Sequence, residues 1–356
     1  MIIDRRTVLA GALASGAAKA AHRPGGKGKR SRVPVIDVHT HMYSHGWADV
    51  VKAANDPNIR LTPGPSGDSM FYMWSGVGTL GREMFDWDMR IREMDAAGVD
   101  LALISLSAPN VFLAERRASA AAARAVNDDF ASAQKRYPTR IRWMASLPWD
   151  FPEEAAAELK RAAALGAIGV CMITNISGRA LTEPRYRSVW RQVEASGLPV
   201  FIHPTLPKTD WGLDIPALAN GVGFTGETSL CFARMIMEGM LDEFPRLKLI
   251  ACHGGGTLPY LAARLDRTWD KMVRDKKSQH PPSFYIRHRL YYDSILYDQE
   301  TLDFLLSYVD ANRVMYGSDY PFSLGDMKGI RERVDGLPPM KRDAVRGGNA
   351  VSLFGF

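Results

Sequence analysis

The residues best suited to chemistry fall at the ends of short apolar runs. His39 and His41 close the run Val35-Ile36-Asp37-Val38, His203 closes Pro199-Val200-Phe201-Ile202, and His253 follows Leu247–Cys252. Asp293 follows Leu290-Tyr291-Tyr292, and Asp319 follows Val314-Met315-Tyr316-Gly317-Ser318. Imidazoles and carboxylates are the donors of divalent-metal sites. Residues i and i+2 of a strand point to one face, so a strand ending at His41 projects His39 and His41 together as half of such a site. His39, His41, His203 and Asp319 supply three imidazoles and one carboxylate. That set suits a single Zn2+ with a position left open for water, and Mn2+ or Fe2+ are the alternatives. A bound divalent ion makes its water more acidic and polarises a substrate oxygen. His253 is then free for proton transfer or transition-state stabilisation, with a fifth-ligand or supporting role as the alternative. Gly254-Gly255-Gly256 follows it and permits close approach of backbone or substrate. The run Ile168–Ile173 offers no lysine that could be carbamylated to bridge two metals, which points to one metal.

These side chains converge only if the runs are parallel strands ending at one face. Eight short apolar runs (35–41, 101–104, 140–147, 168–173, 199–204, 247–252, 290–293 and 314–319) alternate with helix-like segments. The pattern predicts a (β/α)8 barrel, whose working residues lie at the C-terminal ends of the strands. A doubly wound open sheet is the alternative, but the chain has no glycine-rich dinucleotide fingerprint and no repeat. Among the helices, 86–98 has Asp86 or Asp88 as its cap and Gly98 as its stop. Helices are also expected over 118–136, 152–165, 183–196, 228–244, 260–276, 300–309 and 341–354. The segment 42–86, with Phe71, Tyr72 and Trp74, is too long for an ordinary connection and is expected to form a lid after the first strand.

The net charge of +6 is misleading. Residues 1–32 hold eight Lys/Arg and one acidic residue, leaving 37 basic and 38 acidic residues in 33–356. The barrel segment is therefore near neutral and carries no electrostatic case for nucleic-acid binding. Asp4-Arg5-Arg6-Thr7-Val8-Leu9, a weakly apolar stretch and Ala18-Lys19-Ala20 have the form of a twin-arginine export signal. A periplasmic location is expected, with a cytoplasmic one as the alternative. Residues 23–32 form a basic, glycine-containing linker. Cys171, Cys231 and Cys252 are too few and too scattered for a disulfide framework and are expected to be buried thiols. No membrane-spanning run follows the leader.

Taken together, the His-x-His, His203-Pro204, His253-Gly-Gly-Gly and Gly317-Ser318-Asp319-Tyr320-Pro321-Phe322 resemble the amidohydrolase superfamily. More narrowly they resemble its aminocarboxymuconate semialdehyde decarboxylase group. The likeness extends through Arg90–Asp95, Gly226-Glu227-Thr228, Met235–Met237, Glu243–Lys248 and Gly348-Asn349-Ala350. The resemblance implies a zinc held by His39, His41, His203 and Asp319, His253 as acid/base, and nonoxidative decarboxylation of an unsaturated or aromatic acid. It also implies a homodimer in which Arg264, eleven residues after His253, reaches the neighbouring subunit's substrate carboxylate. The own-subunit arginine of the family has no clear match; Arg82 is the nearest candidate. Thr205 stands where the family has tryptophan. These departures touch the pocket and leave the metal set intact. The competing expectations are a hydrolase or hydratase that activates water on the same ligands for an acidic small molecule, and a non-catalytic scaffold.

Overall fold

Strand ends, loops and one inserted sheet together position the site. The computed structural model describes residues 32–64, 69–73, 76–205, 212 and 215–356. The expected export signal and nearly all of its linker, as well as Trp74, lie outside the described residues. β1 (Ile36–His41) leads to α1 (His45–Ala54), then to β2 (Arg60–Pro63), β3 (Ser69–Met73), β4 (Gly76–Leu80) and α2 (Trp87–Ala97). The chain continues through β5 (Leu101–Ser105), α3 (Arg116–Arg136), β6 (Ile141–Ser146), α4 (Pro152–Ala164) and β7 (Gly169–Ile173). A small hairpin, β8 (Asn175–Ile176) and β9 (Arg179–Ala180), precedes α5 (Arg187–Ser196) and β10 (Val200–His203). Next come α6 (Pro216–Leu218), α7 (Phe224–Met237), α8 (Met240–Glu243), β11 (Leu249–Ala251), α9 (Leu258–Met272) and α10 (Pro282–His288). The chain ends with β12 (Leu290–Asp293), α11 (Gln299–Tyr308), β13 (Val314–Met315), α12 (Met327–Asp335), α13 (Pro339–Asp343) and α14 (Asn349–Phe354).

The strands β1-β5-β6-β7-β10-β11-β12-β13 pair in parallel in that order. Val38 N–H donates to Tyr316 O at 3.0 Å and His41 N–H to Tyr320 O at 2.8 Å, which joins the last strand to the first. The protein is thus the expected (β/α)8 barrel. Ile36, Leu103, Met144, Cys171, Phe201, Ile250 and Met315, one from each of seven barrel strands, form an apolar interior cluster with Ala350 and Leu353 of α14. A larger apolar cluster joins other strand residues to the helices, including Trp47, Trp143 and Trp190. All three cysteines are free and buried. Among the described residues, no helix is long and apolar enough to cross a membrane.

Several elements differ from expectation. Within 42–86 the structure has a helix and a three-stranded antiparallel sheet, β2-β3-β4. Ser44 caps α1 by accepting from Trp47 N–H, and Trp47 and Val51 bury one face; Gly46 in its first turn masks the helical pattern. The helix expected over 228–244 starts earlier and is divided at Gly239, whose φ of +75° breaks the repeat. α10 and α12 are short helices that sequence reading omitted. Ladder pairing in β13 covers two residues only; beyond it the chain stays beside β1, with Asp319 N–H donating to His39 O at 2.8 Å. α2 has the cap and stop expected of it: Asp86 accepts from Met89 N–H, and Gly98 is left-handed.

Candidate metal centre

The two histidines of β1 do act as one half of a cluster. One ligand atom from each of His39, His41, His203 and Asp319 lies within 4.8 Å of all the others. Asp319 Oδ1 is 3.2 Å from His39 Nε2, 3.3 Å from His41 Nε2 and 3.8 Å from His203 Nε2. Pairing of β1 with β5 shifts register between Asp37 and Thr40, a local irregularity of the kind that re-aims side chains beside sites. Gly317 allows the close approach of β1, since a Cβ there would stand 2.8 Å from His39 Cβ.

Each imidazole is held by its other nitrogen. His39 Nδ1 donates to Asp293 Oδ2 at 2.7 Å. His203 Nδ1 faces the Pro204 carbonyl at 2.9 Å, an oxygen that can only accept. Ser105 Oγ donates to Thr40 O at 3.3 Å and so accepts from His41 Nδ1 at 3.0 Å. These partners place the proton on Nδ1 of every ring and leave the three Nε2 lone pairs facing Asp319. All three Nε2 atoms and Asp319 Oδ1 are buried without a hydrogen-bond partner. An unsatisfied buried polar atom costs about 1–3 kcal/mol, and four together in one place fit a cation that binds all of them.

The electrostatics agree. Burial pushes His41 well below the ordinary imidazole range and His203 down to about 4. Asp319 is held well below the carboxylate range although burial opposes this, because His39, His203 and His253 surround it. His39 alone is pushed up, against burial, by Cys252, Asp319 and Asp293.

His253 stands beside the four donors, with Nε2 3.3 Å from Asp319 Oδ2. His253 and Asp319 both have left-handed backbones, at φ of +54° and +59°, conformations that cost a non-glycine residue about 1–3 kcal/mol. Asp293 holds the His253 turn, accepting from His253 N–H at 2.8 Å and Gly254 N–H at 3.0 Å. Asp37 holds the Asp319 turn, accepting from Ser318 N–H at 3.1 Å and Ser318 Oγ at 2.5 Å. Arg90, fully buried, donates to Thr40 Oγ1 and to the His41 carbonyl, and lies 4.2 Å from the centre of the Tyr320 ring. Sequence reading placed Asp293 at a strand end without a role. In sequence Arg90 stands out only as part of the run Arg90–Asp95, and Asp37 has no marked role. A charged residue inside an apolar strand-like run, as Asp37 is, was the available signal.

The cluster opens into a cavity of about 590 Å³ lined by His203, His253, Asp319, Phe71, Phe224, Ile295, Leu296, Tyr297 and Phe322 among others. Arg82 does not line the cavity at the metal cluster. It lies in a short 3-10 turn, its side chain is 83% exposed and bonded to Asp86 at 3.0 Å, and it lines a separate cavity of about 630 Å³. Its ion-pair partner is Asp86, four residues on, and not a residue of the metal cluster. Arg264 is exposed on α9 and does not line its own chain's metal-side cavity. Thr205 is buried next to that wall, its N–H donating to Thr174 Oγ1 at 3.1 Å.

A family model described as amidohydrolase matches residues 36–356. The 2-amino-3-carboxymuconate-6-semialdehyde decarboxylase of Dictyostelium discoideum is 28% identical, over 90% of this chain and 91% of that protein. The gamma-resorcylate decarboxylase of a Polaromonas species is 29% identical, over 75% of this chain and 86% of its own. Among solved structures, 5-carboxyvanillate decarboxylase of Novosphingobium aromaticivorans, complexed with manganese and 4-hydroxy-3-methoxy-5-nitrobenzoic acid, superimposes with a TM-score of 0.77 at 23% identity. That match covers 92% of this chain and 98% of the other.

Proposed function

The chain belongs to the amidohydrolase family, and on that premise we propose that it is a metal-dependent, nonoxidative decarboxylase of an aromatic or unsaturated carboxylic acid. The observation that carries the reading is the set of four unpartnered donors on His39, His41, His203 and Asp319, open to a cavity with aromatic walls. These residues would hold one divalent ion. Bound there, the ion supplies a Lewis acid that fixes an anionic substrate oxygen and absorbs developing charge. Zn2+ suits the donors, and the manganese of the carboxyvanillate enzyme makes Mn2+ its competitor.

In the reaction the bond between ring carbon and carboxyl carbon breaks, CO₂ leaves, and the electron pair stays on the ring carbon. That carbon must receive a proton. His253 Nε2 and Asp319 Oδ2, 3.3 Å apart at the cavity wall, can hold one between them and deliver it. Asp293 keeps His253 aimed by holding its backbone. Phe71, Phe224, Ile295, Leu296 and Phe322 exclude water and bury a flat ring. Arg264, exposed on its own chain, is assigned to the substrate carboxylate of a partner in a homodimer. Export by the twin-arginine route is part of the same proposal and rests on residues 1–21.

Water activated on the same donors would make a hydrolase of acidic small molecules. The decarboxylases among the relatives and the aromatic cavity favour CO₂ loss. The test is a screen of hydroxylated benzoates and muconate-like acids on metal-replete protein, following CO₂ and ultraviolet spectra together. Substrate consumed with CO₂ released supports the proposal. Ring or amide opening without CO₂ establishes the hydrolase.

A further inference from the structure

One wall of the cavity comes from outside the barrel. Phe71 is the central residue of β3, the middle strand of the inserted sheet. Its cross-strand partners are Leu61 of β2 and Gly78 of β4. A Cβ at position 78 would lie 2.3 Å from both Cε1 and Cζ of Phe71, so the ring lies over the glycine in space that any other residue would fill. Leu61 and Phe71 both pack against the main apolar cluster. The same Phe71 side chain lines the cavity that holds His203, His253 and Asp319. Phe224 of α7 and Phe322, beyond β13, supply aromatic walls from other parts of the chain. A flat acid anchored at the cluster therefore meets Phe71 as a wall fixed by a sheet.

We propose that Phe71, seated on Gly78, is a specificity-determining residue that limits the size of the ring system admitted above the metal cluster. The inference rests on the aromatic-acid reading and deepens it. The physical basis is simple: ring-to-ring contact adds attraction beyond burial of area, while a wall backed by a paired sheet cannot yield to a larger ligand as a free loop could.

The test is calorimetric titration of the metal-loaded, full-length protein with 2,6-dihydroxybenzoate (one ring) and 1-hydroxy-2-naphthoate (two rings), alongside metal analysis. Phe71→Ala should shift the ratio of the two dissociation constants toward the two-ring acid by about tenfold, with metal content unchanged. Gly78→Ala removes no wall atom but places a Cβ where the ring sits, and the displaced ring is expected to narrow the cavity. It should shift the same ratio the other way, by about threefold or more. Equal weakening of both acids by Phe71→Ala, or a Gly78→Ala ratio that stays put or moves with that of Phe71→Ala, overturns the inference alone. Failure of the wild-type protein to bind either acid counts against the aromatic-acid reading and removes this inference with it.

Discussion

Asp293→Asn is the sharpest perturbation of the site, because it keeps shape and removes one acceptor. Oδ2 accepts from His39 Nδ1 at 2.7 Å and His253 N–H at 2.8 Å, whereas Oδ1 accepts from Gly254 and Ile295 N–H at 3.0 Å each. An asparagine has one oxygen and one NH₂. If the NH₂ replaces Oδ2, it faces two donors; if it replaces Oδ1, it faces two others. Two hydrogen bonds are lost in either orientation, inside a fully buried site. At about 1–3 kcal/mol for each donor left without a partner, the variant should lose about 2–6 kcal/mol of stability. In the first orientation His39 recovers one of the two bonds only by moving its proton to Nε2, the atom that faces the metal. Loss of such a supporting partner weakens metal binding by about 10–100-fold. Chelator competition on the folded variant measures the second effect and denaturant unfolding the first. Metal affinity within about twofold of wild type, with normal unfolding, would refute the role given to Asp293.

Three further outcomes are expected. His253→Ala should retain one metal per chain and lose turnover by about 10²- to 10⁴-fold; loss of metal instead would make His253 a ligand. Arg264→Ala should raise KM, and mixing it with an inactive Asp319→Asn chain should restore activity through hybrid dimers; unchanged kinetics would remove Arg264 from the site. Burial pushes Glu227 above its usual range, against an Asn175 hydrogen bond and Arg234. Its folded form therefore keeps a proton that the unfolded chain has released, and stability falls as pH rises from about 4.5 through the raised value. Glu227→Gln should accordingly gain more Tm over wild type above neutrality than near pH 4.5; an equal difference at both would contradict the shift.

The barrel and the metal donors were legible because both depend on local pattern. Apolar runs mark strands, and a barrel requires working residues where those runs stop, which is where His39, His41, His203, His253 and Asp319 stand. What was not legible depends on long-range contact. Nothing near Asp37 says that it will hold the Ser318 turn from 281 residues away. The insertion could be seen as an insertion, but its sheet rests on pairings such as Phe71 with Gly78, and a lone glycine between Val77 and Thr79 carries no sign of the ring above it. Helices such as α1 were hidden by a glycine in the first turn, where the Ser44 cap compensates.

The most direct measurement is release of ¹³CO₂ from a carboxyl-labelled hydroxybenzoate while a divalent metal is titrated into metal-depleted protein. Release should rise with added metal, level off at one equivalent per chain, and be absent from His39→Ala and Asp319→Asn proteins. Release that is independent of metal, or label retained in a ring-opened or hydrolysed product, would contradict a four-ligand decarboxylase centre.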